Sequence, residues 1–414
     1  MKPGRLRVRL CGPLALMALL GCMQVAPPAR QPWPAVALGA MGPAANLDSN
    51  CVADHRAGVD YFPQKTAFSH SAQLQVSYGE HFKRVRFTPT VATGEVLEFL
   101  LVQCGTPVPA HGPHVPVIQV PIQRLVTGNS AMLGALDELG LVDRLFGAES
   151  TRSATVASVR RRIEQGLVHD MWGYGHASIE PVMAVQPDVY LTFYSAYPQG
   201  NMHPRLWELG VRAIPQADHH ELHPLGRAEW LKLLALLTNR EARGNALFDG
   251  IVARYDHWKA IAAQARSRPR VMSGFAAGRD TVETFGGRNQ RARLIHDAGG
   301  EYVLADDDQA GSLVYKPFER VYARGADAPV WLGTLGGRAD RQQLVAANAL
   351  HGWFSATRTG RVYAWDHGYT GAWAHPYQDQ SMSRPDVLLA EAISALHPPL
   401  MPQPASLQFL RQLP

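Results

Sequence analysis

Two stretches of this chain read alike: His176-Ala-Ser-Ile-Glu-Pro-Val-Met-Ala-Val-Gln-Pro-Asp-Val-Tyr-Leu191 and Tyr315-Lys-Pro-Phe-Glu-Arg-Val-Tyr-Ala-Arg-Gly-Ala-Asp-Ala-Pro-Val-Trp-Leu332. Each sets a glutamate, Glu180 or Glu319, beside a proline in the first turn of a short helix. Each helix stops at a Pro or Gly, and an Asp then leads into an apolar strand. Proline suits the first helical turn, and a carboxylate there faces the positive end of the helix dipole. A unit repeated more than a hundred residues later predicts two similar α/β lobes, each showing one acid at its surface.

Working outward, the pattern from residue 117 alternates strands and helices. Strands are predicted at Val120–Val126, Leu145–Ala148 and Val189–Thr192, and a helix over Ser130–Leu139. Residues 117–224 make the first lobe. A helical stretch over 225–266 follows, with a break near Thr238-Asn239; Trp230, Leu231, Leu233, Leu234 and Leu237 give it a stripe broad enough for burial on two sides. Residues 267–400 make the second lobe, and 401–414 a tail. Upstream, residues 51–116 carry strand alternations at Leu74–Tyr78, Phe82–Phe87 and Val96–Val102, punctuated by Gly79, Gly94 and Gly105, and read as a β-meander. The predicted fold class is α/β: two parallel-sheet lobes joined by a long helix, with an N-terminal β-rich extension.

Composition narrows the function classes. The chain has 414 residues, 46% hydrophobic and 18% charged, as in soluble globular proteins. Its +5 charge invites a nucleic-acid partner. Four of its 40 basic residues, Lys2, Arg5, Arg7 and Arg9, lie in the acid-free first 21 positions, which leaves 36 against 35 acids. No basic block with interleaved aromatics remains, so nucleic acid is set aside. Residues 1–21 read instead as an export signal: a basic start, then an apolar run too short to be a permanent span. Leu19-Leu20-Gly21-Cys22 resembles the bacterial lipobox, which implies lipidation at Cys22 and a periplasmic, lipid-anchored location. Residues 22–50, rich in Pro and Ala, read as a flexible tether. Of the remaining cysteines, Cys11 falls in the signal. Cys51 and Cys104 are left for one disulfide, with a reactive thiol pair or metal ligation as alternatives.

Several passages in order resemble the solute-binding proteins of ABC importers for ferric siderophores, haem and cobalamin. They are Arg124-Leu-Val-Thr-Gly-Asn-Ser130, Ile179-Glu180 with Gln186-Pro-Asp-Val189, His223–Trp230, Asp297-Ala-Gly-Gly300, Ala305–Asp308 with Gly311-Ser312, and Met382–Leu388. The resemblance implies two α/β lobes on one long helix, a non-catalytic monomer without a cofactor, and an iron chelate, haem or corrinoid as ligand. It implies an inner-membrane ABC permease dimer with its ATPase as partner, and Glu180 and Glu319 as the docking carboxylates, each meeting an arginine. It also places Asn129 and Ser130 in the first cleft loop.

In such an architecture a ligand sits outside the carboxyl ends of strands. The loops there carry Trp172, Tyr174, Phe193, Tyr194, Tyr197, Phe275, Phe285, Tyr369, Trp373 and Tyr377, flat faces for a large chelate or macrocycle. Arg279 and Arg288 are the expected partners for its anionic groups. His176, His219, His220 and His375, with His223, permit a bare Zn or Mn site, although the adjacent His219-His220 is poor geometry for one. Asp306-Asp307-Asp308 reads as a solvated acidic loop. An exported enzyme is the rival class, but no Gly-x-Ser-x-Gly elbow, His-Glu-x-x-His helix or dinucleotide fingerprint occurs.

Overall fold

The computed structural model describes residues 33–414 other than 40, 93, 174, 175, 178, 335, 372, 373 and 402–406, with the backbone alone at 172, 173, 176 and 177. The expected signal and Cys22 lie outside the described residues, as do Tyr174 and Trp373.

The N-terminal module is a four-stranded sheet. Strands β1 (Leu74–Tyr78), β2 (Phe82–Phe87) and β3 (Leu97–Gln103) form an antiparallel meander, and β4 (Val117–Val120) joins β3 in parallel. Alternation along β2 turns Lys83, Val85 and Phe87 inward together. The strand expected over 120–126 is therefore two strands, because Pro121 has no N–H to continue a ladder. The module extends to Val120, past the boundary expected at 116. Cys51 and Cys104 form a disulfide, with Cα atoms 4.8 Å apart, that clips the start of the module to the end of β3. The part of the expected tether from residue 33 on lies against the body. The Trp33 indole N–H donates to the Pro121 carbonyl at 2.9 Å, the Arg144 guanidinium covers its ring, and Ala35–Val36 pairs with Cys51–Val52.

Lobe one holds five parallel strands, β5 (Leu125–Thr127), β6 (Leu145–Ala148), β7 (His169–Asp170), β8 (Val189–Phe193) and β9 (Ala213–Gln216), in the order β9-β8-β5-β6-β7. Helix α1 (Leu133–Glu138) follows β5, and α2 (Ile179–Val185), the first Glu helix, feeds β8. The chain then crosses to lobe two once, through α3 (Pro224–Glu229), α4 (Leu231–Thr238) and α5 (Glu241–Ala262). All eight residues of α4 are buried, Lys232 among them with its ammonium on Glu229 at 2.8 Å. The expected break falls at Asn239, whose left-handed φ of 59° caps α4. The longest of the three, α5, has 22 residues.

Lobe two repeats the plan with β10 (Arg270–Met272), β13 (Glu301–Tyr302), β15 (Val330–Leu332), β16 (Val362–Ala364) and β17 (Arg411–Gln412), in the order β13-β10-β15-β16-β17. Only β17 is antiparallel to its neighbour. Strands β11 (Phe275–Ala276), β12 (Thr281–Thr284) and β14 (Val314–Pro317) form a small antiparallel sheet beside it. Helix α6 (Gln290–Asp297) precedes β13, α7 (Phe318–Gly325) is the second Glu helix, and α8 (Pro376–Gln380) and α9 (Pro385–Leu396) follow β16. Lobe two does not end at residue 400. Phe409, Leu410 and Leu413 are fully buried, and the Glu391 carboxylate accepts the N–H groups of Gln408, Phe409 and Leu410.

The repeated segment is thus the same topological unit twice. Helix α2 feeds β8 beside the first strand of lobe one, and α7 feeds β15 beside the first strand of lobe two. The Asp of each unit anchors it to that first strand. Asp188 accepts the N–H groups of Gln123 and Arg124 at 2.7 and 2.9 Å, while Asp327 pairs with Arg270 at 2.8 Å. Strand order reverses at these neighbours, which puts a switch point in each lobe.

Candidate functional site

Two of the contacts between the lobes lie near the carboxyl ends of their strands. Asn129 caps the turn Ser130–Met132 after β5, its Oδ1 accepting from the Ala131 N–H at 2.8 Å, and α8 of lobe two packs on that turn. Asp379 of α8 holds the Thr155 N–H and hydroxyl at 2.6 and 2.7 Å. At the second contact the Asn289 side chain donates to the His219 and Ala310 carbonyls, and the Gln290 N–H to the Glu221 carbonyl.

Beside these contacts large apolar side chains stay open to solvent. Phe193, at the carboxyl end of β8, is 43% exposed and stacks flat on His219, with centroids 4.6 Å apart and planes 9° apart. Tyr197 and Tyr315 are each 52% exposed, one from each lobe. Phe275, Glu283 and Tyr315 are register partners across β11, β12 and β14 and so share one face. In the loop after β16, Trp365 stacks on Tyr377, which lies parallel to His375, and Tyr369 is tilted beside His375. These are the flat faces and polar rims that a planar or chelated ligand needs.

Among the described residues several ring nitrogens of the histidines beside them lack partners, although His220 Nδ1 accepts the Ser312 N–H at 3.4 Å. Neither ring nitrogen of His219 has a hydrogen-bond partner, and the nearest Asp218 oxygen is 3.9 Å from Nδ1. His220 Nε2 and His375 Nδ1 are likewise without partners. Burial, and then the neighbouring His219, pushes His220 down to about 3, so its ring is neutral. Burial alone would raise Asp218, but His219 and the Arg227 guanidinium, 3.0 Å away, hold it well below the usual carboxylate range. Among the described residues no three His, Cys, Asp or Glu side chains converge on a point that could hold a metal ion.

Other predicted residues are placed elsewhere. Tyr194 is 2% exposed and turned away from solvent: its hydroxyl donates to Glu95 of the N-terminal module and its ring meets Phe87 edge-on. Arg279 is at the tip of the turn between β11 and β12, where the Asp280 carbonyl accepts from the Phe318 N–H at the start of α7. Arg288 is exposed on a groove along β13, with Arg268, Arg293 and His296. Trp172 and His176 lie on a two-stranded antiparallel pair, Trp172–Gly173 with His176–Ala177, and their side chains lie outside the description. His223 caps α3 by accepting the Leu225 N–H. Glu180 and Glu319 are both exposed on their helices.

Three residues not singled out from the sequence stand out. Tyr315 faces solvent next to Glu283. Glu149, at the end of β6, is raised to about 7 by burial. Arg291, in the first turn of α6, lies over the rings of Phe285 and Tyr377.

Comparison with known proteins is consistent with this geometry. The family model described as periplasmic binding protein matches residues 125–369. The chain is 22% identical over 321 residues to an uncharacterized lipoprotein of Methanocaldococcus jannaschii, covering 74% of this chain and 73% of that one. A solved periplasmic heme binding protein from Pseudomonas aeruginosa is 19% identical, with TM-score 0.52 over 71% of this chain and 98% of that one. A periplasmic binding protein from Veillonella parvula is 13% identical, with TM-score 0.53 over 76% and 98%. At these identities the solved structures establish the shared two-lobed fold.

Proposed function

Because this chain belongs to the periplasmic binding protein family, whose members bind solutes rather than catalyse, we propose that it captures an iron chelate of the ferric siderophore kind and delivers it to an inner-membrane ABC importer. The observation that carries this reading is Phe193, 43% exposed at the carboxyl end of β8 and stacked on His219, whose carbonyl accepts from Asn289 of lobe two. A single chain is taken as the binding unit, and its partner is a permease dimer with its ATPase. Lipid anchoring at Cys22 is part of the proposal. It is supported by the Leu19–Cys22 sequence and by the lipoprotein name of the Methanocaldococcus jannaschii relative.

Haem is the second reading, with cobalamin behind it. The unpartnered nitrogens of His219, beside an exposed aromatic face, suit a planar iron macrocycle. The chain's nine tryptophans supply the test. Fluorescence is followed while ferric siderophores, ferric citrate, haemin, cobalamin, and free Fe³⁺, Zn²⁺ and Mn²⁺ are titrated in. Saturable quenching by a chelate, with the ligand recovered unchanged, is the expected result. Quenching by free metal ions alone, or consumption of the ligand, overturns it.

A further inference from the structure

Among the described residues Arg291 is a half-buried cation without a counter-ion. It stands in the first turn of α6, which the Asn289 and Gln290 contacts hold against the His219–Glu221 segment of lobe one. Its guanidinium carbon lies 5.9 Å from the ring centroids of both Phe285 and Tyr377. Its Nε is shielded from water yet has no hydrogen-bond partner, and it forms no ion pair among the described residues. Other inward-turned arginines have partners: Arg227 in Asp218 at 3.0 Å, Arg124 in the Val185 carbonyl at 2.7 Å, Arg411 in Asp366 at 2.8 Å. Arg162 and Arg341 also leave Nε unpartnered, but each donates from its fork to a carbonyl.

The groups around Arg291 do not fill that role. Glu283, the carboxylate that feels its charge, is itself raised by burial and turned to Tyr315. His220 and Tyr302 are neutral near it. Leaving a guanidinium partly desolvated and unpaired is costly, and two aromatic faces offset only part of that cost. Its remaining N–H groups are left to offer a fork to an oxyanion.

We propose that Arg291 is the anion anchor of the cleft, and that the solute is an anionic chelate presenting a carboxylate or similar oxyanion to it. This rests on the reading of the cleft as a solute site. It replaces Arg279 and Arg288 in the role expected of them, since one is at a turn tip beside α7 and the other on the outer groove along β13.

The test titrates the full chain, in detergent, with four probes by tryptophan fluorescence. Ferric citrate and haemin carry carboxylates; a ferric trihydroxamate with a free amine is cationic; cobalamin has no carboxylate. The wild type should favour an anionic probe, and R291Q should weaken that binding roughly 30-fold or more. R291K, which keeps the charge and loses the fork, should fall between, and rising salt should weaken the wild type more than R291Q. Should R291Q fail to fold, as read from its unfolding midpoint, R291K and the salt dependence decide. Preference for the cationic or uncharged probe, or an R291Q affinity within threefold of wild type, overturns the anchor and leaves solute binding standing. No quenching by any of the four overturns the solute-binding reading and the anchor with it.

Discussion

Lys83 and Glu241 form an ion pair, Nζ to Oε1 at 2.5 Å, with both side chains closed off from water. The pair joins the inward face of β2 to the first residue of α5, immediately after the break at Asn239. Lys83 also donates to the Leu236 carbonyl and to Asn239 Oδ1, both at 2.7 Å. Asn239 in turn donates to the Leu47 carbonyl and to Gln103 Oε1, and Asn46 donates to Glu241 Oε2. The N-terminal module therefore grips the break between α4 and α5.

Removing one partner of such a pair leaves a buried charge without compensation. The variant K83M should lose roughly 3–5 kcal/mol of stability, and K83M/E241L should recover most of it, because an apolar pair of similar volume needs no solvation. Urea unfolding of the two variants and the wild type measures this. A double variant as unstable as the single would show that the hydrogen bonds to Leu236 and Asn239 matter more than the charges.

The Cys51–Cys104 bridge closes a loop of 53 residues around most of the module. Loss of that constraint in C51A/C104A should cost about 2–4 kcal/mol. Reduction of the wild type should lower its unfolding midpoint to a similar extent. A midpoint unchanged by both treatments would mean that the packing of the module alone holds it in place.

Acid should loosen the junction between the lobes. Burial pushes His220 down to about 3 and His223 to about 4 in the fold, against an ordinary value of 6.5. The unfolded chain binds protons at these positions first, so their contribution is intact above about pH 6.5 and is lost as pH falls toward 4 and 3. Glu149, raised to about 7, works in the opposite sense, its contribution falling as pH rises from about 4.5 to 7. Stability of H220Q and H223Q should therefore depend less on pH below 6.5 than that of the wild type. E149Q should gain on the wild type as pH rises from about 4.5 to 7. Parallel pH profiles for all four proteins would count against these assignments.

How far the sequence carried can be judged from particular residues. Strands β1 to β3 were legible because their alternation is local, and the two Glu helices because Pro, Glu and Asp recur at matching positions. Strand β4 was assigned to the wrong unit, and β17 was missed within the tail, because strand membership depends on partners far away in the chain. Phe193 and Tyr194 show the limit for the site. Adjacent strand residues face opposite ways, so one of the two had to turn inward, but only the position of Glu95 decides which. Arg291 had no distinguishing mark among Arg288, Arg291 and Arg293. Its role appears only when α6 is set against lobe one between Phe285 and Tyr377.

The two exposed acids, Glu180 and Glu319, give the last prediction. They occupy equivalent first-turn positions on α2 and α7, and each has an exposed apolar neighbour: Met183 one turn along α2, and Trp353 packed edge-on against Phe318 and Tyr322 of α7. A matched pair of carboxylates suits two equivalent arginines on a permease dimer, since guanidinium and carboxylate pair in a fixed bidentate geometry. Neither acid stands at the aromatic cleft or is engaged in an ion pair among the described residues. In E180A/E319A the solute affinity should therefore match the wild type, while uptake by cells carrying the importer should fall at least tenfold, with each single variant intermediate. Uptake at the wild-type rate by the double variant, at equal protein level, would remove the docking role and leave the acids as favourable charges at two helix starts.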